Sequence, residues 1–394
     1  MSFLSKLFKN SKGGDRLIFL SVVVLSLFGI VMIGSASVGK AYEYGATWPV
    51  TNMIKQGIFV GIGFALMSLI TRLFDPKKFS VRFFDIIFTI GLLAMLACRL
   101  FEPTSGAYAW IDLGFMTIQP SEIMKIIMIL CLSYYFSEVV DSFSVNGKFS
   151  SELAREAFYK NKFKYCLQRP FLYIILVLIV GVFVQNDTGS MVIMLGICGA
   201  IFLLAQNKYY RNFKMVSIII VGVGTVLLAV FFLQGYQVSR ITTWLQPLSD
   251  VQDTSFQIAN SLVAFANGDL FGSGFGNSTQ KFGWIPVAQS DFIGPIIYEE
   301  LGVFGLAFIM IPTCIIIYRL LMHSRKTNNT FYSLILVGIS TYFFMHLFIN
   351  LGGVSALIPM TGVPLLLVSS GGTSAIATFI AIGIAQAIIR KSKL

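Results

Sequence analysis

Charge is what this 394-residue chain has least of: only 12% of its residues are Asp, Glu, Lys or Arg, against 56% hydrophobic, and its mean hydropathy is +0.79. Soluble domains carry about 25% charged residues, so the shortage excludes a water-facing surface over most of the chain and makes a bilayer the expected solvent. Five cysteines, none in a segment assigned below to the outside, exclude a disulfide framework and read as small apolar filler. The two histidines, His323 and His346, stand apart with no metal-ligand spacing. No polar stretch is long enough to bury a core of its own, which excludes a separate soluble domain. No repeat of 20 to 50 residues and no inverted repeat is visible, which counts mildly against a secondary transporter.

What is present is apolar length. A hydrocarbon layer about 30 Å thick needs roughly 20 residues per helical span. Such stretches run at 17–37, 54–71, 83–100, 120–138, 171–187, 189–206, 215–234, 293–320, 331–350 and 373–389. Backbone polar groups inside lipid have to be satisfied within the protein. The expected fold class is therefore an all-α polytopic membrane protein with about ten transmembrane helices, residues 1–394 forming a single membrane domain. Only Asn186 to Gly189 are available to turn the chain between the fifth and sixth spans, and without that turn there would be nine.

Charge placement tests the count independently, because Lys and Arg are retained in short cytoplasmic loops. With both termini cytoplasmic, the inside segments 1–16, 72–82, 139–169, 207–214, 319–330 and 390–394 hold 23 of the 29 cations. The net charge of +11 then follows from orientation and contact with anionic lipid, and no nucleic-acid partner is needed. Lys6, Lys9 and Lys12 before the first apolar run read as an uncleaved signal anchor. The cytoplasmic loop 139–169 carries Glu152, Arg155, Glu156 and Lys160 at helical spacing, as a solvated surface helix would. The outside holds segments 101–119 and 351–372 and, between helices 7 and 8, a large extracytoplasmic loop at 235–292, whose Ile258–Ala266 stretch fits an amphipathic helix at the membrane surface.

Ionisable groups at membrane depth are costly, and each is a functional candidate whose partner has to be named. Glu122 and Lys125, three residues apart behind Gln119, Pro120 and Ser121, fit either a structural ion pair or an element holding a charged substrate. Asp187, in Gln185–Gly189, fits either a tight turn or a polar group lining a cavity. Asp291 meets the eighth span at its outer rim; a helix cap and a general base acting on a hydroxyl at the membrane surface both suit it. Glu299 and Glu300 require partners from other spans, with Arg240 and Lys281 as candidates. Gly272, Gly274 and Gly276 read as a tight turn, since no strand precedes them to make a nucleotide loop.

In order along the chain stand Ser35, Ala36, Ser37; Gly106 to Trp110 with Leu113 and Gly114; Gln119 to Lys125; Asp187, Thr188, Gly189; Arg240 to Asp250; Gly272 to Lys281; Asp291 to Gly302; and Asn350 through Pro359 to Gly371 and Gly372. This ordered set resembles the SEDS family of bacterial cell-wall polymerases, which includes FtsW, RodA and SpoVE. Asn267, Gly268 and Gly276, Asn277, Ser278 lean towards the FtsW or SpoVE branch. The resemblance implies a peptidoglycan glycosyltransferase of the bacterial cytoplasmic membrane that polymerises lipid II on the outer face, in cell division or cell-shape maintenance. It implies Asp291 as the catalytic base on the acceptor 4-hydroxyl, with undecaprenyl pyrophosphate leaving and configuration inverted. It further implies substrate contacts for Trp110, Glu122, Lys125, Asp187, Arg240 and Lys281. A divalent cation such as Mg, no organic cofactor, and a class B penicillin-binding protein as transpeptidase partner are expected on the same ground. The chain departs from the family where Tyr108 and Ala109 replace the usual Arg, where Val287 and Gln289 replace Glu and His, and where Ser370 replaces Tyr; which residues assist Asp291 is left open by these changes. A lipid II flippase using Glu122, Lys125 and Asp187, and a scaffold recruiting division proteins, are the alternatives from other classes.

Overall fold

The computed structural model describes residues 14–75, 78–104, 106–114, 116–143, 151–205, 210, 214, 235–248 and 255–392. Its helices are α1 (Arg16–Ser37), α2 (Trp48–Leu73), α3 (Val81–Ala97), α4 (Pro120–Tyr134), α5 (Glu152–Phe163), α6 (Arg169–Ile179), α7 (Thr188–Leu204), α8 (Gly235–Leu245), α9 (Phe256–Gly268), α10 (Ile293–Lys326), α11 (Thr330–Val354) and α12 (Gly372–Ser392). Two short strands, β1 (Ile111–Asp112) and β2 (Thr117–Ile118), pair antiparallel between α3 and α4, with Ile111 opposite Ile118. Eight helical stretches among the described residues are long and apolar enough to cross a membrane. They coincide with eight of the expected spans; the sixth is the shorter apolar helix α7, and the seventh, 215–234, lies outside the described residues.

Two differences from the expected spans have local causes. The surface helix of the inside loop is α5, but it runs on through a wide i→i+5 turn at Lys164–Gln168 into α6. Pro170 has no N–H to give the Cys166 carbonyl, and the Tyr210 hydroxyl donates to that carbonyl instead, at 2.6 Å. The second difference is a break within α10 at Gly302, whose φ of 59° and ψ of −145° no helix allows.

The chain divides into two compact units. The first comprises residues 1–72, 225–319 and 343–386. Its packing depends on small residues that let backbones approach: a Cβ on Gly63 would overlap the Phe379 ring, and one on Gly372 would lie 2.6 Å from the Phe59 ring. The start of α1 is fixed by Asp15, which caps the helix through Leu17 N at 2.9 Å, pairs with Arg319 at 2.5 Å, and through its backbone donates to Gln386 Oε1 and accepts from Gln386 Nε2. The second unit comprises residues 73–224, 320–342 and 387–394 and is built around α4, whose residues are nearly all buried. Within it Asp85 accepts from Tyr135 and Tyr173 and pairs with Arg169 at 2.6 Å.

Gly63 and Gly61 make a matched test of this packing, since a Cβ on Gly61 would meet nothing within 4 Å. Gly63→Leu is expected to lower stability by about 1–3 kcal/mol through overpacking, read as a fall in the thermal unfolding midpoint of purified protein. Gly61→Leu is expected to leave the midpoint unchanged or raise it.

Candidate functional site

The loop at 268–281 is built onto the break in α10. Interrupting a helix leaves amides and carbonyls without intrahelical partners, and an apolar bundle offers no water to replace them. Here the loop supplies the partners. Val303 N donates to Leu270 O at 3.0 Å, Ser273 N to Glu299 O at 2.8 Å, and Gly274 N to Glu300 O at 3.0 Å. Contact is close enough that a Cβ on Gly302 would sit 2.6 Å from Gly272 N. Gly272, Gly274 and Gly276 all have positive φ, at 79°, 102° and 83°, which accounts for the spaced glycines as a turn required by backbone conformation.

The two carboxylates beside the break are satisfied in different ways. Lys281 Nζ pairs with Glu300 Oε1 at 2.8 Å and also donates to Ser35 Oγ at 3.2 Å and Gly276 O at 2.7 Å, all four residues belonging to the first unit. Lys281 and Glu300 are almost wholly buried. Glu299 carries no cation among the described residues; Asn267, Ser278, Thr279 and the Gln280 amide all donate to it. The partner sought for Glu300 is therefore Lys281, and the lysine is committed to holding the loop against α10.

Asp291 lies at the start of α10 in a different setting. Asn350 of α11 donates through Nδ2 both to Asp291 O at 2.7 Å and to Val363 O at 2.6 Å, tying the loop ahead of α10 to the segment between α11 and α12. A third tie is Ser370 N to Gln289 O at 2.9 Å. Arg240 of α8 donates to Met360 O at 3.0 Å, and Trp244 of the same helix donates to Ala356 O at 3.0 Å. Gly362, at φ 71°, lies between the two charges: a Cβ there would be 3.5 Å from Asp291 Oδ2 and 4.0 Å from Arg240 Nη2. A small cleft opens at this point, lined by Asp291, Asn350, Thr361, Gly362 and Val363 among others. Asn350 Oδ1 is buried there with no hydrogen-bond partner among the described residues.

Asp291 keeps a partly exposed surface although protein surrounds most of its carboxyl. Burial pushes its pKa above the usual carboxylate range, while its own amide, the Arg240 charge and the Ser290 hydroxyl act in the opposite direction. No hydrogen bond to the Asp291 carboxylate from the first turn of α10 is formed among the described residues. A carboxylate of raised basicity, reachable at a cleft and near a fixed cation, can accept a proton from a hydroxyl.

In the second unit, Lys125 and Glu122 pair at 2.7 Å, fully buried on α4, and Tyr342 OH approaches Glu122 at 3.5 Å. Asp187 caps α7 through Ser190 N at 3.0 Å and accepts from Gln119 at 3.1 Å and Ser121 at 3.4 Å. Asn186 before it has a φ of 56°, so the expected tight turn between the fifth and sixth spans is formed. Trp110 is half-buried in the segment before β1, where Tyr108 N donates to Gln185 O at 2.8 Å and Arg99 stacks on the Tyr108 ring at 3.8 Å. Of the seven candidates, Asp291, Arg240 and Lys281 belong to the first unit and Trp110, Glu122, Lys125 and Asp187 to the second. Of the candidates in the first unit, Asp291 and Arg240 approach each other across the position of Gly362. Asn350 and Gly362 were not among the expected site residues; their signal in the sequence was an Asn–Leu–Gly–Gly and Thr–Gly–Val–Pro pattern in and after an apolar span.

A family model described as a cell cycle protein, FtsW/RodA/SpoVE, matches residues 15–394. The chain belongs to the FtsW/RodA/SpoVE family. Similar members of that family include the probable peptidoglycan glycosyltransferase FtsW of Enterococcus hirae, 32% identical over 94% of this chain and 91% of that protein. The stage V sporulation protein E of Bacillus subtilis is 30% identical over 96% and 98%. Among solved structures, a chain of a peptidoglycan synthase complex, described for its coordination of polymerization and crosslinking, superposes with a TM-score of 0.72 at 21% identity over 96% of this chain and 98% of that one. The rod-shape-determining protein RodA of Thermus thermophilus gives 0.63 at 19% over 97% and 98%. At those identities the two structures show that the FtsW/RodA/SpoVE fold is shared. This is a multi-pass membrane protein.

Removing one partner of a buried ion pair leaves an uncompensated charge, at a cost of about 3–5 kcal/mol, whereas replacing both by apolar residues is often neutral. Lys281→Met is accordingly expected to lower the thermal unfolding midpoint sharply, and adding Glu300→Met is expected to restore most of the loss. A double variant no more stable than the single one would show that the pair does not carry the lock.

Proposed function

We propose that this chain is a peptidoglycan glycosyltransferase that polymerises lipid II on the outer face of the bacterial cytoplasmic membrane, in cell division or shape maintenance. The observation that supports it best is Asp291, a carboxylate of raised basicity at an accessible cleft, with Arg240 close by and Asn350 holding its backbone. The names of the FtsW relatives give the reaction class. The topology proposed is ten spans with both termini cytoplasmic and the 235–292 loop outside, in agreement with the cation distribution.

Asp291 takes the proton from the acceptor 4-hydroxyl as that oxygen attacks the anomeric carbon of the lipid-linked donor. The bond from that carbon to the pyrophosphate oxygen breaks with inversion, and undecaprenyl pyrophosphate leaves with the electron pair. Negative charge grows on the leaving group, and fixed cations stabilise it best when already in place. Arg240, held by Met360 O, is the proposed cation. Lys281 supports the loop instead, and Trp110, Glu122, Lys125 and Asp187 are proposed to shape the substrate path. A resident divalent metal does not fit the described residues, among which no three His, Cys, Asp or Glu side chains converge. Magnesium would have to arrive on the pyrophosphate, as it commonly does on substrate phosphates. A class B penicillin-binding protein is the proposed partner, consistent with the fold shared with a chain of a synthase complex.

The direct test is glycan synthesis from lipid II by purified protein with its partner. Removing a general base typically costs about 10²–10⁴-fold in rate, and Asp291→Asn is expected to fall by that much while still folding and still binding the partner. Wild-type rates from Asp291→Asn would overturn the assignment.

A further inference from the structure

At the opposite end of the chain's charge pattern, the second unit contains a cavity of about 470 Å³ that the reaction above does not use. It lies where α7 ends, α10 ends and α11 begins, in the part of the chain that the cation distribution assigns to the cytoplasmic side. Its lining is mixed: Ser324, Arg325, Thr327, Asn328, Thr330 and Ser333 are polar, and Leu204, Leu321, Leu334 and Val337 are apolar. Among the described lining residues Arg325 is the one charged group, and none of them is a carboxylate. Arg325, Asn328 and Thr330 are exposed at the mouth of the cavity and have no side-chain hydrogen bond or ion pair among the described residues, so a cation, an amide and a hydroxyl can meet a ligand there.

We propose that this cavity binds an inner-leaflet lipid of net negative charge through its phosphate, with the hydrocarbon chain against the apolar residues of the lining. Each part of the ligand follows from the lining. An Arg with two neutral donors and no acid selects an anion with several acceptor oxygens, which a phosphate supplies with geometry suited to guanidinium. Leu204 is half-exposed at the end of the apolar helix α7, so an apolar part of the lining reaches the protein surface. The volume falls within the range that small-ligand sites occupy, about 300–1,000 Å³; it is enough for a headgroup and the first part of a chain. Two sources carry this chemistry, an anionic phospholipid and a polyprenyl phosphate, and the experiment separates them.

Native mass spectrometry of the full chain, purified in detergent, would count retained lipid after incubation with phosphatidylglycerol or phosphatidylcholine. The wild type is expected to retain one phosphatidylglycerol. Arg325→Gln, at an exposed position, is expected to bind it about ten-fold more weakly through loss of the charge-assisted bonds, with phosphatidylcholine retention unaltered. Thr330→Trp, which places a bulky ring at the exposed mouth of the cavity and leaves the charge in place, is expected to lose phosphatidylglycerol as well. Both variants should keep the wild-type unfolding midpoint. Displacement of phosphatidylglycerol by undecaprenyl phosphate would support the site with the isoprenoid as ligand; failure to displace would support it with bulk phospholipid. Equal retention by wild type and Arg325→Gln, by wild type and Thr330→Trp, or of the two phospholipids by the wild type, would overturn it.

Discussion

The break in α10 at Gly302 sets the constraint from which the arrangement of the loop at 268–281 follows. A helix interrupted in an apolar setting exposes carbonyls and amides that neither lipid nor hydrocarbon side chains can satisfy. Residues 270–274 meet that need with backbone bonds to Glu299, Glu300 and Val303, and they can come so close only because glycines stand at the contact. The same loop brings Lys281 to Glu300 and the hydroxyls of Ser278 and Thr279 to Glu299. Loop and helix are thereby fixed as one body immediately after the stretch that carries Asp291.

The carboxylates of the apolar region show three solutions to the same electrostatic cost. Glu122 and Glu300 each take a lysine within hydrogen-bond distance. Glu299 and Asp187 are stabilised by several neutral donors. Asp291 has neither arrangement in full: Arg240 acts on it across the position of Gly362, and it keeps an exposed edge. A charge left incompletely stabilised is the one able to exchange a proton with a substrate, and this distinguishes Asp291 chemically from the other acidic groups near it.

Much of this was legible in the sequence because bilayer physics is written in long runs. Apolar stretches of about 20 residues gave eight of the spans directly, and the short turn at Asn186–Gly189 was correctly placed between the fifth and sixth. The break at Gly302 was not legible, since a single glycine in an apolar run reads equally as close packing, and only the loop that docks there distinguishes the two. The continuity of α5 with α6 was hidden for a related reason: Pro170 usually starts or ends a helix, and the wide turn that accommodates it depends on Tyr210, forty residues away. Glu122 with Lys125 could be paired from their spacing alone. Lys281 could be named as a partner for Glu300, but its commitment to that pair required three-dimensional contacts. Asn350 and Gly362 escaped because neither is ionisable, and their importance is positional.

The central claim is that Asp291 acts as a base whose charge is governed by burial and by Arg240. The pH dependence of glycan synthesis, compared between wild type and Arg240→Gln, tests it most directly. Burial raises the pKa of Asp291 and the guanidinium lowers it, so the wild type should lose activity on acidification at a higher pH than an ordinary carboxylate would dictate. Removing the guanidinium should shift that acid limb to still higher pH. An acid limb that stays in place, or moves down, in Arg240→Gln would contradict the account.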